Sequence, residues 1–147
     1  MRSWIASGAA VLVGAVLLGA GTHAQPRSGA VGLWRTPVRG GLVRIETCGG
    51  AICGYVAGSP MLAANPAQKD LRNHDPALRE RPILGLMMLR LFPAGPDRWS
   101  AGWVYDPNSG NTYHGSARLR PDGRLELQGC IVKPLCRTQE WVKAGAP

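Results

Sequence analysis

Arg120 and Arg124 flank the tripeptide Pro121-Asp122-Gly123, and this short stretch restricts the fold more than any other. Proline presets φ, aspartate can bond its own backbone, and glycine supplies the left-handed position, which together predict a three-residue hairpin loop. With Arg120 opposite Arg124, Leu119 faces Leu125, Ala117 faces Leu127, Gly115 faces Gly129 and Tyr113 faces Ile131. On the other face Arg118 meets Glu126, Ser116 meets Gln128 and His114 meets Cys130. One face is apolar and the other polar, with an ion pair in register. A slip by one residue would turn every side chain over, so the pattern fixes both the hairpin and its buried face.

Similar runs fill the rest of the chain, separated by Gly, Pro, Asp and Asn. Strands are predicted at Gly32 to Thr36, Leu42 to Cys48, Ala51 to Ser59, Ile83 to Phe92, Arg98 to Tyr105, Asn111 to Arg120, Arg124 to Ile131 and Cys136 to Lys143. Short, evenly spaced strands of this kind predict an all-β fold, a small eight-stranded antiparallel barrel. The exception is Pro60 to Pro82, a polar connection in which Asp75 can cap, Pro76 can start and Pro82 can end a short helical turn.

Two registers require a choice. A four-residue loop from Pro107 to Gly110 sets Asp106 opposite Asn111 and puts Trp103 on the face of His114. A bulge at Gly110 instead brings Trp103 beside Tyr113, Ala101 beside Gly115 and Trp99 beside Ala117. Burying that aromatic row, at about 25 cal/mol per Å², outweighs a bulge and favours the second arrangement, with Asp106 as the turn's side-chain acceptor. Cys48 and Cys53 form one close pair and Cys130 and Cys136 another. In an oxidising compartment these read as two local disulfides, whereas zinc knuckles use tighter spacing. Cys48 opposite Cys53 places Val43 and Ile45 on the inner face with Gly54, Val56 and Gly58. Cys130 opposite Cys136 carries Arg137, Gln139 and Trp141 inward, so an arginine and a glutamine there need an aromatic neighbour, water or a ligand.

The first residues, with Arg2, an apolar run from Ile5 to Leu18 and small residues at Thr22 and Ala24, have the layout of a secretory signal cut after Ala24. This apolar run is shorter than the ~20 residues of a spanning helix. The expected product is one domain, 25–147, released into the periplasm or secreted. The 17 Lys and Arg against 9 Asp and Glu make the chain basic. Outside the cytoplasm this points to an acidic envelope component as partner rather than nucleic acid.

Catalytic chemistry finds little to work with. Beyond the leader only His74 and His114 remain, and the register turns His114 outward. There is no Gly-x-Ser-x-Gly elbow and no cysteine free to act as a nucleophile. Glu46 and Glu126 face outward, while Asp106 and Asp122 sit in turns and Asp75 at a cap. His74 and Asp75 are adjacent in sequence and point apart, which argues against a metal pair. No enzyme, cofactor or metal is expected. The inner face is the better prospect, with Trp99, Trp103, Tyr105 and Tyr113 beside small residues, and Met87 and Met88 as adaptable lining.

Gly32-Leu33-Trp34 resembles the Gly-x-Trp that opens lipocalin and calycin barrels. The resemblance implies that Trp34 closes the barrel base with a basic residue of the last strand across it, a part Arg137 can play by cation-π stacking. A wider resemblance runs through Gly-Leu-Trp, Cys-Gly-Gly-x-x-Cys-Gly, Trp-x-x-Gly-Trp-Val-Tyr-Asp-Pro-x-x-Gly-x-x-Tyr, Leu-x-x-Gly-Cys and Cys-Arg-Thr-Gln-x-Trp. That ordered set is similar to a bacterial exported family known as domain of unknown function twenty-one forty-seven, which implies a small envelope protein and carries no catalytic residues over. The expectation is a calycin-like barrel holding an apolar or amphipathic small ligand, with Trp34, Met87, Trp99, Trp103, Tyr105, Tyr113, Arg137 and Gln139 as candidate contacts. The alternative is a filled barrel that serves as a structural or protein-interaction module through its basic outer face.

Overall fold

All eight predicted runs become strands in the computed structural model, which describes residues 28–145. The expected leader, 1–24, lies outside the described residues. The strands are β1 (Gly32–Arg35), β2 (Leu42–Cys48), β3 (Ala51–Gly58), β4 (Met87–Pro93), β5 (Arg98–Asp106), β6 (Asn111–Leu119), β7 (Leu125–Val132) and β8 (Leu135–Gly145). Each pairs antiparallel with the next, and β8 returns to β1, so the sheet closes into a barrel without free edges. The β6–β7 register is the expected one from Leu119 opposite Leu125 to His114 opposite Cys130. No helix among the described residues is long and apolar enough to cross a membrane.

Up-and-down order gives the barrel two ends. The β2–β3, β4–β5 and β6–β7 turns lie at one end, where Trp34, Ile45, Ile52, Leu89, Leu91, Trp99, Leu125 and Trp141 pack into a solid core. Trp34 is fully buried there and its indole N–H donates to the carbonyl of Ala30 at 2.8 Å. The cation over Trp34 is Lys143, 4.9 Å from the ring centroid, rather than Arg137. The register decides this, because Lys143 is the direct partner of Trp34 across the β1–β8 seam, while Arg137 lies six residues earlier in β8, opposite Gly129. Lys143 also donates to the carbonyls of Gly29 and Val31. Lys143→Met is expected to cost about 1 kcal/mol in urea unfolding, because an exposed cation-π contact and its hydrogen bonds are worth that order.

Three departures from the expected registers have local causes. The β5–β6 connection is the plain four-residue turn, with Asp106 opposite Asn111. Gly110, at φ 77°, donates its N–H to the Asp106 carbonyl, and the Asp106 carboxylate accepts from the Asn108 N–H and the Ser109 hydroxyl. The extra residue is absorbed deeper in β5, between Trp99 and Gly102, where Ala101 adopts φ 51°. A Cβ on Gly102 would overlap the Arg90 carbonyl, so only glycine lets β5 cross β4 this closely. Trp99 keeps its inward place opposite Ala117, but Trp103 now pairs with His114 on the outer face, and Tyr105 with Thr112.

At the β2–β3 turn, Gly49 and Gly50 both take positive φ and close a two-residue hairpin, so Cys48 pairs with Ala51 and Cys53 with Glu46. The shift is by two residues, which leaves the faces unchanged, and the Cys48–Cys53 disulfide runs diagonally. The Cys130–Cys136 bridge joins direct partners. Finally, β4 begins at Met87 rather than Ile83, because Gly85, at φ 80°, turns the chain first. The long connection carries the expected short helical turn as a 3-10 turn, Pro76–Leu78, capped by the Asp75 side chain on the Ala77 N–H. It also holds α1 (Pro60–Ala64), capped by Ser59.

Candidate functional site

Towards its second end the barrel is hollow. A cavity of about 500 Å³ opens there, beneath the β1–β2 loop, α1 and the long connection. Its walls come from inward positions of successive strands: Val43, Val56, Met88, Val104, Tyr113 and Leu127, with Trp141 also contributing. Gly58 presents no side chain to this space, and Gly129 lets the Tyr113 side chain lie against β7. Two polar side chains project into this apolar space from β8. Gln139 accepts the indole N–H of Trp141 at 3.0 Å. Arg137 stands on the same face and makes no side-chain hydrogen bond or ion pair among the described residues.

Of the eight candidate contacts, the cavity gathers Tyr113, Arg137 and Gln139, and Tyr105 reaches its mouth. Trp34 and Trp99 belong to the solid end. Met87 and Trp103 lie outside the wall, in a more open groove with His74, Asn111 and Thr112. Met88, the neighbour of Met87, faces inward instead, because the β3–β4 ladder shifts between Gly54 and Tyr55 and pairs Tyr55 with Met87.

The long connection is tied down by a polar network. The Asp70 carboxylate is buried and receives four donors: the Tyr105 hydroxyl at 2.6 Å, the Asn73 amide at 2.9 Å, and the Arg81 guanidinium through two nitrogens at 2.8 Å each. Asn73 also donates to the Tyr105 oxygen at 3.0 Å, and Arg81 lies 5.2 Å over its ring. Burial pushes the Tyr105 phenol up to about 12, and the Asp70 hydrogen bond and charge act in the same direction. Tyr105 thus points outward from the barrel yet is buried, since the connection folds down over it. Arg72 bonds the Asn108 carbonyl, which ties the connection to the β5–β6 turn as well. Among the described residues no group of three or more His, Cys, Asp or Glu is placed to hold a metal ion.

With the geometry in place, comparison with other proteins identifies the lineage. The model for an uncharacterized protein conserved in bacteria, DUF2147, matches residues 32–143, from the first strand to near the end of the last. The chain belongs to this family. Among solved structures it is similar to protein HP1028 from Helicobacter pylori, which is described as belonging to the lipocalin family. The TM-score is 0.70 at 23% identity, over 78% of this chain and 82% of that one. A search of curated proteins found no match. DUF2147 is thus represented here by a lipocalin-like barrel.

The sequence leaves several of this DUF2147 barrel's features without a local signal. Asp70 lies 35 residues from Tyr105 and reads as one polar residue among many in a polar connection. Val56 and Val104 look like ordinary strand residues until closure shows that both line the cavity. Gly102 was the usable clue, because a glycine inside a strand marks a bulge or a close crossing.

Proposed function

We propose that this DUF2147 chain is an exported binding protein that holds a small amphipathic ligand. The apolar part occupies the cavity and an anionic group is met by Arg137. One observation carries the proposal: a space of about 500 Å³ with apolar strand walls, lined towards its exposed side by Arg137, which has no hydrogen-bond or ion-pair partner among the described residues. Binding sites for small molecules have this volume, and here an apolar interior of Val43, Val56, Met88, Val104 and Leu127 gives way to polar lining with Arg39, Lys69, Arg72 and Asp106. An arginine offers a fixed fork of donors to a carboxylate, sulfonate or phosphate. A filled barrel would leave no room of this size. Two arginines of the basic outer face on which that alternative relies, Arg118 and Arg120, are engaged with Glu126 and Glu140. The two disulfides and the leader-like start support export to an oxidising compartment.

Native mass spectrometry of protein released gently from the periplasm tests the proposal, and a bound mass in the lipid or hydrophobic-metabolite range is expected. A clean apo mass, together with no thermal shift from fatty acids, lysophospholipids or anilinonaphthalene sulfonate, sinks it. Anilinonaphthalene sulfonate combines apolar rings with one anion, so its fluorescence also reads the Arg137 contribution. Arg137→Gln is expected to weaken this probe by about tenfold, equivalent to ~1.4 kcal/mol, while a neutral apolar probe of similar size binds unchanged.

A further inference from the structure

The open end of the barrel differs from the rest of the surface in both hydrophobicity and charge. Ten large apolar side chains stand exposed among the described residues, and six of them ring this end. Ile131, Val132 and Leu135, at the β7–β8 tip, are 68%, 58% and 63% exposed, and Leu71, on the long connection, 65%. Val38 and Met61 complete the ring from the β1–β2 loop and α1. Four cations share this end: Arg39, Arg72, Lys133 and Arg137, none with a carboxylate partner among the described residues. Lys69 is neutralised by Glu80, and Asp106, the one carboxylate among the described residues that line the mouth, is spent on its own turn. The β6–β7 turn at the solid end is built the opposite way, with Arg118, Arg120 and Arg124 paired among Asp122, Glu126 and Glu140.

We infer that the open rim docks on an anionic phospholipid bilayer. Separate loop tips that each present one or two aliphatic side chains can enter the headgroup region independently, and the cations between them would lie level with the phosphates. A flat protein partner would be met by one continuous apolar patch with a polar border. Here the apolar groups are spread around an opening, interleaved with uncompensated positive charge, and the complementary surface is negative and deformable. Docking in this orientation would set the cavity mouth against the membrane, where amphipathic molecules reside. The inference concerns the outer rim and does not require the cavity to be occupied.

The experiment is flotation of the mature chain with vesicles of phosphatidylcholine alone or with phosphatidylglycerol added, at low and high salt. Binding is expected at least tenfold stronger on the anionic vesicles and weakened by salt. Ile131→Ser combined with Leu135→Ser should reduce it about tenfold, and Lys133→Glu should reduce it further. Both hairpin positions are exposed, so the fold should tolerate the changes. Arg98→Glu makes the same charge change at the solid end and should leave binding nearly intact. A variant with the cavity plugged at Val56→Trp should still float, which separates this inference from the ligand proposal. Equal binding to both vesicle types, or equal losses from Lys133→Glu and Arg98→Glu, would overturn it. So would vesicle-free dimers in sedimentation that the hairpin variants dissociate, which would make the rim an interface between copies of this chain.

Discussion

Asp70→Ala is expected to destabilise the protein by about 2–3 kcal/mol and to release the long connection from the barrel. Breaking a fully buried ion pair typically costs about 3–5 kcal/mol, because the surviving partner is left charged and dry. Here the Asp70 side chain is entirely buried, but Arg81 keeps 32% of its side-chain surface in water, so the expected cost falls to the foot of that range or just below it. In the same step the Tyr105 hydroxyl loses its acceptor and the Asn73 amide loses one of its two. Asp70→Asn keeps an oxygen for the phenol and should cost less than the alanine change. Urea unfolding measures the loss. Hydrogen exchange should show faster exchange at Asn73 and Ile83, whose N–H groups bond within the connection, while the β6–β7 ladder stays protected.

The same network predicts a response to alkali. The Tyr105 phenol is held up to about 12 when folded, against 10.0 as its ordinary value. Between those values the unfolded chain loses this proton while the folded chain keeps it, so stability falls as pH rises. The contribution is complete below about pH 10 and gone above about 12. Tyr105→Phe should flatten that part of the stability profile, at the cost of the hydrogen bond to Asp70. An unchanged alkaline slope in the phenylalanine variant would show that the phenol is not its source.

How far the sequence reached depended on whether the deciding interaction was local. The Pro121-Asp122-Gly123 turn fixed its own hairpin because its conformation and the alternation on both sides specify one register. The faces of β2 and β3 came out correctly even though the Gly49-Gly50 turn is tighter than expected, since a shift of two residues preserves every side chain's direction. One extra residue in β5 had the opposite effect. Favouring burial of Trp103 assumed that the apolar row must face inward, whereas Ala101 takes up the slack and the ring settles against the outer groove beside Met87. Arg137 and Gln139 were legible because β8 is locked to β7 by Cys130 and Cys136. Whether the space before them is empty depends on all eight strands at once, and no local pattern carries that.

The emptiness of that space sets the remaining large effect. Val56→Trp should weaken anilinonaphthalene sulfonate binding about a hundredfold or more, ~2.7 kcal/mol, with the fold retained. Val56 is half-buried on β3 and faces the cavity, three strands around the barrel from β8. In a close-packed core an indole there would force strain of about 1–3 kcal/mol. In a void it occupies space already present and gains apolar burial, so the melting temperature should hold steady or rise. Binding and stability therefore move apart if the barrel is hollow, and fall together if it is filled. Met88→Trp approaches the same space from β4 and should give the same separation. Two plugs on different strands that destabilise the barrel and leave probe binding unchanged would place the probe elsewhere and remove the cavity from any account of function.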